Sequence, residues 1–160
     1  MTDKARDPAE LVERYGDMVY RICYVRLHGC QPGAVDDAFQ ETFLRYMETM
    51  PRFQSPEHEK AWFCRCAVQR CTDILRENTR HPTAALTETL PVTDTPETTD
   101  NRVLEMLLSL PELYRTPLYL SAVMGYTTGE IASLLHILPG TARVRLSRAR
   151  EQMAELLKET

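Results

Sequence analysis

The 160-residue chain is 43% hydrophobic and carries a formal net charge of -4, with 19 Lys and Arg against 23 Asp and Glu. That length and apolar share suit one or two small globular domains, and no apolar run is long enough to span a bilayer. The acidic balance excludes indiscriminate nucleic-acid binding by the whole surface and leaves room for a local basic face.

The first helix is predicted to begin at Asp7-Pro8-Ala9-Glu10, with Asp as N-cap and Pro in the first turn. Its apolar stripe reads Leu11, Tyr15, Met18, Ile22 and Val25, and Gln31-Pro32 between two glycines ends it. This helix carries structure and no chemistry. The second helix, from Ala34 to about Met50, buries Val35, Phe39, Thr42, Phe43, Tyr46 and Met50 by its spacing. Asp36, Asp37, Gln40, Glu41 and Leu44 occupy much of the remaining surface. Two acids in a first turn suit the helix dipole. A strip that docks a basic partner helix is the alternative, and the residues alone favour the dipole reading slightly.

Pro51 stops the second helix, and residues 52–59 read as a polar loop turning at Ser55-Pro56. A third helix is predicted over 60–77, with Phe63, Ala67, Cys71 and Ile74 inward. Lys60, Arg65, Gln69, Arg70 and Arg76 present donors elsewhere on it. Basic groups around Trp62 suit unstacked bases, which stack on aromatic rings. The alternative, that Trp62 fills the core, is the one that general tryptophan burial favours.

Residues 78–101 are rich in Thr and Pro, poor in large apolar residues and acidic, as expected of a flexible linker. A leucine-rich helix follows over 102–110, and Leu110-Pro111-Glu112 restarts another bearing Leu113, Leu118, Tyr119, Leu120 and Val123. Pro117 inside it predicts a kink or shift. Residues 126–150, YTTGEIASLLHILPGTARVRLSRAR, then divide into a short amphipathic helix, a break and a basic helix. Thr127 and Glu130 form a capping box, and Ile131, Leu134 and Leu135 share a face. Pro139 disfavours helix at Leu138 and suits the first position of a new one. Arg143, Arg145, Arg148 and Arg150 follow with no acid before Glu151. Two short helices with a basic second member point to a helix-turn-helix DNA reader; a merely solvated face is the bland alternative. The fold class is therefore all-α, with small helical domains over 1–77 and 102–160.

The cysteines are Cys23, Cys30, Cys64, Cys66 and Cys71. An odd count, with no signal peptide expected, points to a reduced, cytoplasmic protein. No zinc-ligand spacing is present, and positions two apart on a helix do not face each other. No glycine-rich phosphate loop, nucleophile elbow or paired helical histidines appear. Neither catalytic residues nor a metal nor a cofactor is expected.

The chain resembles the sigma-70 family of bacterial RNA polymerase initiation factors, in its short extracytoplasmic-function (ECF) form. The resemblance rests on Asp36-Asp37-Ala38-Phe39-Gln40-Glu41-Thr42-Phe43 and Lys60-Ala61-Trp62-Phe63, which are similar to region 2. It rests also on Leu110-Pro111-Glu112, Tyr114-Arg115, Gly125-Tyr126-Thr127, Glu130-Ile131-Ala132, Gly140-Thr141, Arg143, Arg145-Leu146 and Arg148-Ala149-Arg150, which are similar to region 4. The resemblance implies that Asp36, Asp37, Gln40, Glu41 and Leu44 bind core RNA polymerase. It implies that Arg52, Gln54, Ser55, Lys60, Trp62, Arg65, Gln69 and Arg70 recognise and open the minus-10 element. It implies that Thr127, Pro139, Thr141, Arg143, Val144, Arg145 and Arg148 read the minus-35 element as duplex DNA. It further implies an anti-sigma factor as partner, no membrane insertion and no enzymatic activity.

Some positions depart from the family pattern. His136 stands where the turn usually has Gly, Leu138 where a Ser or Thr cap is usual, and Gln69 where Asn is usual. Ala142 replaces a larger aliphatic residue, and Val144 occupies a position that is often polar. Two further readings remain beside the family one: a polymerase-independent helix-turn-helix regulator, which has no need of the Asp36–Glu41 strip, and an interaction protein without DNA binding.

Overall fold

A computed structural model describes residues 7–80 and 99–159. Its described residues form seven α-helices and no strand: α1 (Pro8–Leu27), α2 (Ala34–Thr49), α3 (Pro56–Arg80), α4 (Thr99–Ser109), α5 (Glu112–Ala122), α6 (Thr128–Leu135) and α7 (Pro139–Lys158). The chain divides into two compact units between Leu86 and Thr87. The linker expected over 78–101 has helix at both ends, to Arg80 and from Thr99, and its residues 81–98 lie outside the described ones.

In the first unit, α1, α2 and α3 pack against one another in all three pairs. Helix α1 starts as its sequence dictates: the Asp7 carboxylate accepts from the Ala9 N–H at 3.1 Å, and Pro8 opens the helix. Its buried face runs Leu11, Tyr15, Val19, Ile22, Cys23, Val25 and Leu27; Met18, expected inside, is only half-buried, and Val19 takes its place. Arg26 is also buried, donating to the Val68 carbonyl at 2.6 Å and the Thr72 hydroxyl at 2.7 Å. A guanidinium is tolerated there because its donors meet oxygens rather than empty apolar space.

Helix α2 departs from the expected stripe. Its innermost file is Ala34, Ala38, Thr42 and Tyr46, spaced by one turn and a little more, while Val35, Phe39 and Phe43 are half-buried at its flank. Small side chains along that file let the neighbouring helices approach, and the rings are displaced sideways. The Thr42 hydroxyl is satisfied by donating to the Ala38 carbonyl at 2.8 Å. Met50, also expected inside, is 49% exposed, because the helix ends at Thr49 and Met50 itself takes the left-handed conformation (φ 44°).

Helix α3 begins at Pro56, inside the segment read as a polar loop. The Ser55 hydroxyl accepts from the His58 N–H at 3.1 Å, and Pro56 takes the first helical position. The same Ser-Pro pair that signals a turn is thus a helix start. Phe63, Cys64, Ala67, Val68 and Cys71 are buried on α3, whereas Ile74 is half-buried rather than inward.

In the second unit, α7 packs on α5, α6 and α4. Leu107, Leu110, Leu118, Tyr119, Leu120, Ile131, Ala142, Leu146 and Ala149 are buried there. Helix α5 runs through Pro117 without interruption, with the ring fully buried. Buried Arg115 donates to the carbonyls of Leu110 (3.0 Å) and Leu108 (3.4 Å), so a cation meets the C-terminal carbonyls of α4 and its exit.

Candidate functional site

Three surfaces carry the residues expected to function, two on the first unit and one on the second.

On α2, Asp36, Asp37, Gln40, Glu41 and Leu44 are all exposed and run along the side opposite Ala38 and Thr42. Leu44 is 53% exposed amid these carboxylates, as is suited to a contact with both apolar and charged parts. Both the dipole and the docking explanations fit Asp36 and Asp37, since a first-turn acid that faces solvent satisfies each.

The second surface is formed by residues 51–55 and the outer side of α3. Trp62, Arg65 and Gln69 follow an i, i+3, i+7 spacing and share one face, with Arg65 exposed and Trp62 and Gln69 half-buried. Trp62 packs on Tyr46 (5.9 Å), Phe53 (6.1 Å) and Phe63 (5.1 Å), so its ring is the outer wall of an aromatic cluster. It is neither wholly core nor free. Arg52 and Gln54 are exposed, and the Gln54 N–H donates to His58 Nδ1 at 3.3 Å, which ties the loop to α3. Lys60, two residues before Trp62, projects from the other side of the helix and is not brought into this face.

Arg70 lies at the flank of that face. Asp73 accepts from Gln69 Nε2 at 3.3 Å and pairs with Arg70 at 3.2 Å, orienting both. Asp73 was not expected in the site, although its i+4 and i+3 spacings from Gln69 and Arg70 are a legible signal. Cys66 lies nearby, its thiol 4.0 Å from the Thr42 carbonyl. Burial pushes its pKa up, outweighing the Arg70 and Arg45 guanidinium groups that act to lower it. A thiol held protonated is a poor nucleophile and a poor metal ligand. Among the described residues, no group of three or more His, Cys, Asp or Glu could hold a metal ion.

The third surface is the α6–α7 hairpin. Both halves of the capping box are present: the Glu130 N–H donates to the Thr127 hydroxyl at 3.2 Å, and the Thr127 N–H donates to the Glu130 carboxylate at 3.1 Å. Thr127 is exposed, but its hydroxyl already serves this cap. Helix α6 ends at His136 in the left-handed region (φ 55°, ψ 46°), and the Ile137 N–H closes back on the Ala132 carbonyl at 3.0 Å. That closure replaces the usual glycine with a residue that tolerates the conformation. Leu138 provides no side-chain cap, and Pro139 begins α7.

Along α7, Ala142, Leu146 and Ala149 face inward, while Pro139, Arg143, Val144 and Arg148 are exposed. Thr141 and Arg145 are half-buried. Arg143 and Arg145 therefore leave the helix on opposite flanks rather than side by side. A cavity of about 350 Å³ opens between α5 and α7, with Leu113 and Val144 as walls and Tyr114, Thr141, Arg145 and Arg148 around it. Tyr114 and Leu113 were not expected in this site, because nothing local in sequence links α5 to α7. Arg150 is drawn elsewhere, to the Ser121 hydroxyl at 3.5 Å. No helix among the described residues is long and apolar enough to cross a membrane.

Comparison with known proteins gives two family matches, one in each unit. Residues 11–81 match the family described as Sigma-70 region 2, and residues 100–153 match that described as Sigma-70, region 4. The ECF RNA polymerase sigma factor SigE of Mycolicibacterium smegmatis is 34% identical, over 97% of this chain and 64% of its own length. The RNA polymerase sigma factor CarQ of Myxococcus xanthus is 30% identical, over 78% of this chain and 75% of its own. The fold is shared with the sigma factor RpoE of Bartonella quintana, solved in complex with the anti-sigma factor NepR. That likeness has a TM-score of 0.70 at 18% identity and covers 94% of this chain and 96% of the other. It is shared also with CnrH, solved in complex with the cytosolic domain of CnrY. There the TM-score is 0.58 at 24% identity, over 95% and 88% of the two chains.

Proposed function

The chain belongs to the sigma-70 family, as an ECF RNA polymerase sigma factor that directs core polymerase to promoters, and from that premise we propose how its surfaces divide the work. Residues 1–77 act as the polymerase-docking and minus-10 domain, 78–101 as a linker and 102–160 as the minus-35 domain. Asp36, Asp37, Gln40, Glu41 and Leu44 dock core polymerase, and their common exposed face on α2 supports that role. Trp62, Arg65 and Gln69 meet the melted minus-10 strand. They are backed by Arg70 and flanked by Arg52, Gln54 and Ser55, while Lys60 contacts the backbone from the other side of α3.

The α7 helix enters the minus-35 major groove, with Arg143 and Val144 toward the bases and Thr127, Pro139, Thr141, Arg145 and Arg148 toward the backbone. The observation that carries the assignment is the order of the two matched regions on separate helical units, an acidic strip on one and a basic helix-turn-helix on the other. An anti-sigma factor is the proposed regulator, by analogy with the complex of the Bartonella quintana factor with NepR. The family comprises initiation factors that are not enzymes, so the chemistry rests with the polymerase, and the place of action is the cytoplasm.

Reconstitution tests the proposal: the purified chain with core polymerase should yield transcripts from a distinct subset of promoter fragments that core alone ignores. Tight, specific promoter binding by the free chain, without any effect on core polymerase, would instead favour a polymerase-independent regulator.

A further inference from the structure

The cavity between the first turns of α5 and α7 is more than a gap in packing. Two guanidinium groups, Arg145 and Arg148, border it, and no carboxylate is among its lining residues. The hydroxyl-bearing side chains of Tyr114 and Thr141 join them from the two different helices. Among the described residues, no hydrogen bond or ion pair engages these four side chains. Two like charges bordering one space repel each other, and an anion seated between them relieves the repulsion while accepting from the hydroxyls. Leu113 and Val144, 43% and 50% exposed, form the apolar sides of the groove.

We infer that this cleft is a phosphate subsite for the promoter backbone, in which Tyr114 of α5 joins Thr141, Arg145 and Arg148 of α7. The inference rests on the minus-35 reading given above. A duplex phosphate is favoured over a free one because Val144 and Arg148 belong both to the cleft and to the exposed side of α7. Helix α5 thereby becomes part of the DNA grip, outside the helix-turn-helix itself. Arg145, half-buried toward α5, serves the backbone, and the base contact falls to Arg143.

The test uses holoenzyme reconstituted from the full chain and core polymerase, with a promoter duplex selected from a randomised minus-35 library. Single phosphates across the minus-35 region are replaced in turn by neutral methylphosphonate. Tyr114→Phe should weaken binding roughly tenfold, the loss of a hydrogen bond to a charged group, without altering the salt slope. Arg145→Gln should weaken binding and lower the slope of log K against log salt by about 0.9. One methylphosphonate position should weaken the parent protein yet have little further effect on either variant.

Additive losses at every position would overturn the subsite, as would unchanged affinity in both variants with melting temperatures preserved. Inhibition by millimolar inorganic phosphate that is lost in both variants, with no sensitive backbone position, would assign the cleft to a free anion and equally overturn it. If binding does not depend on the minus-35 sequence even in the parent protein, the minus-35 reading fails and the subsite fails with it. If that dependence holds while the variants behave as the parent, only the subsite fails.

Discussion

Tyr15 donates its hydroxyl to the Glu59 carboxylate at 2.6 Å, bridging the middle of α1 and the first turn of α3. Glu59 is only 2% exposed, and Arg14 approaches the same oxygen at 3.6 Å. Tyr15→Phe removes a donor from a buried carboxylate and should cost about 1–3 kcal/mol in the first unit. Urea unfolding followed by circular dichroism measures it, and a loss below about 0.5 kcal/mol, within the range of ordinary surface substitutions, would contradict the account.

The same pair sets a pH dependence. Burial, and then Glu59, raise the Tyr15 pKa above its ordinary value of 10.0. Above the unfolded pKa the unfolded chain has released a proton that the folded chain still holds, so stability falls as pH rises. The contribution is complete below pH 10 and is lost as pH climbs through the folded value. Melting followed at increasing alkalinity should show this decline in the parent protein and a shallower one in Tyr15→Phe.

For polymerase docking, Asp37→Arg combined with Gln40→Arg should abolish capture by core polymerase while the first unit stays folded, with only the small loss of about 0.3–1 kcal/mol that a cation costs at a helix N-terminus. Both side chains are exposed, so their replacement removes charge complementarity without disturbing the core. Undiminished capture in a pull-down would sink the docking assignment.

For promoter reading, Arg143→Ala should relax preference at one minus-35 position, at a cost of about 1–3 kcal/mol if a bidentate base contact is lost. Arg148→Ala should weaken all promoters alike and flatten the salt dependence. Transcription from a randomised minus-35 library separates the two, and exchanged behaviours would reverse the roles.

For stability, Leu138→Ser should help. Leu138 is 74% exposed at the uncapped start of α7, and a serine there can accept an orphan backbone N–H. A gain of about 1 kcal/mol raises the melting temperature of a domain this small by roughly 4–8 °C. A lowered temperature would show that the leucine makes a contact worth more than the cap.

The α6–α7 hairpin was legible because its signals are local: Thr127 with Glu130, the break at His136, and Pro139 at the next start all act within a turn of themselves. Ala142, Leu146 and Ala149 turn inward at a helical spacing. The α2 interior was legible in part: Thr42 and Tyr46 were assigned inward and are buried, whereas Val35, Phe39 and Phe43 were assigned inward where the small Ala34 and Ala38 hold the closest approach. Buried Arg26, Arg115 and Glu59 were not legible, because their partners lie on other elements and no spacing in the sequence announces them. The same holds for Tyr114, which reaches its cleft only once α5 lies against α7.

Arg115 also has a mechanical consequence. Any tension passed along the backbone from the first unit enters the second through α4, and the Leu108 carbonyl near its end and the Leu110 carbonyl just past it are clasped by a guanidinium rooted in α5. Through that clasp, and the packing of α4 on α5 and α7, a pull on α4 is passed to its neighbours. Tethered in this way, α7 moves with its whole unit when the chain is pulled.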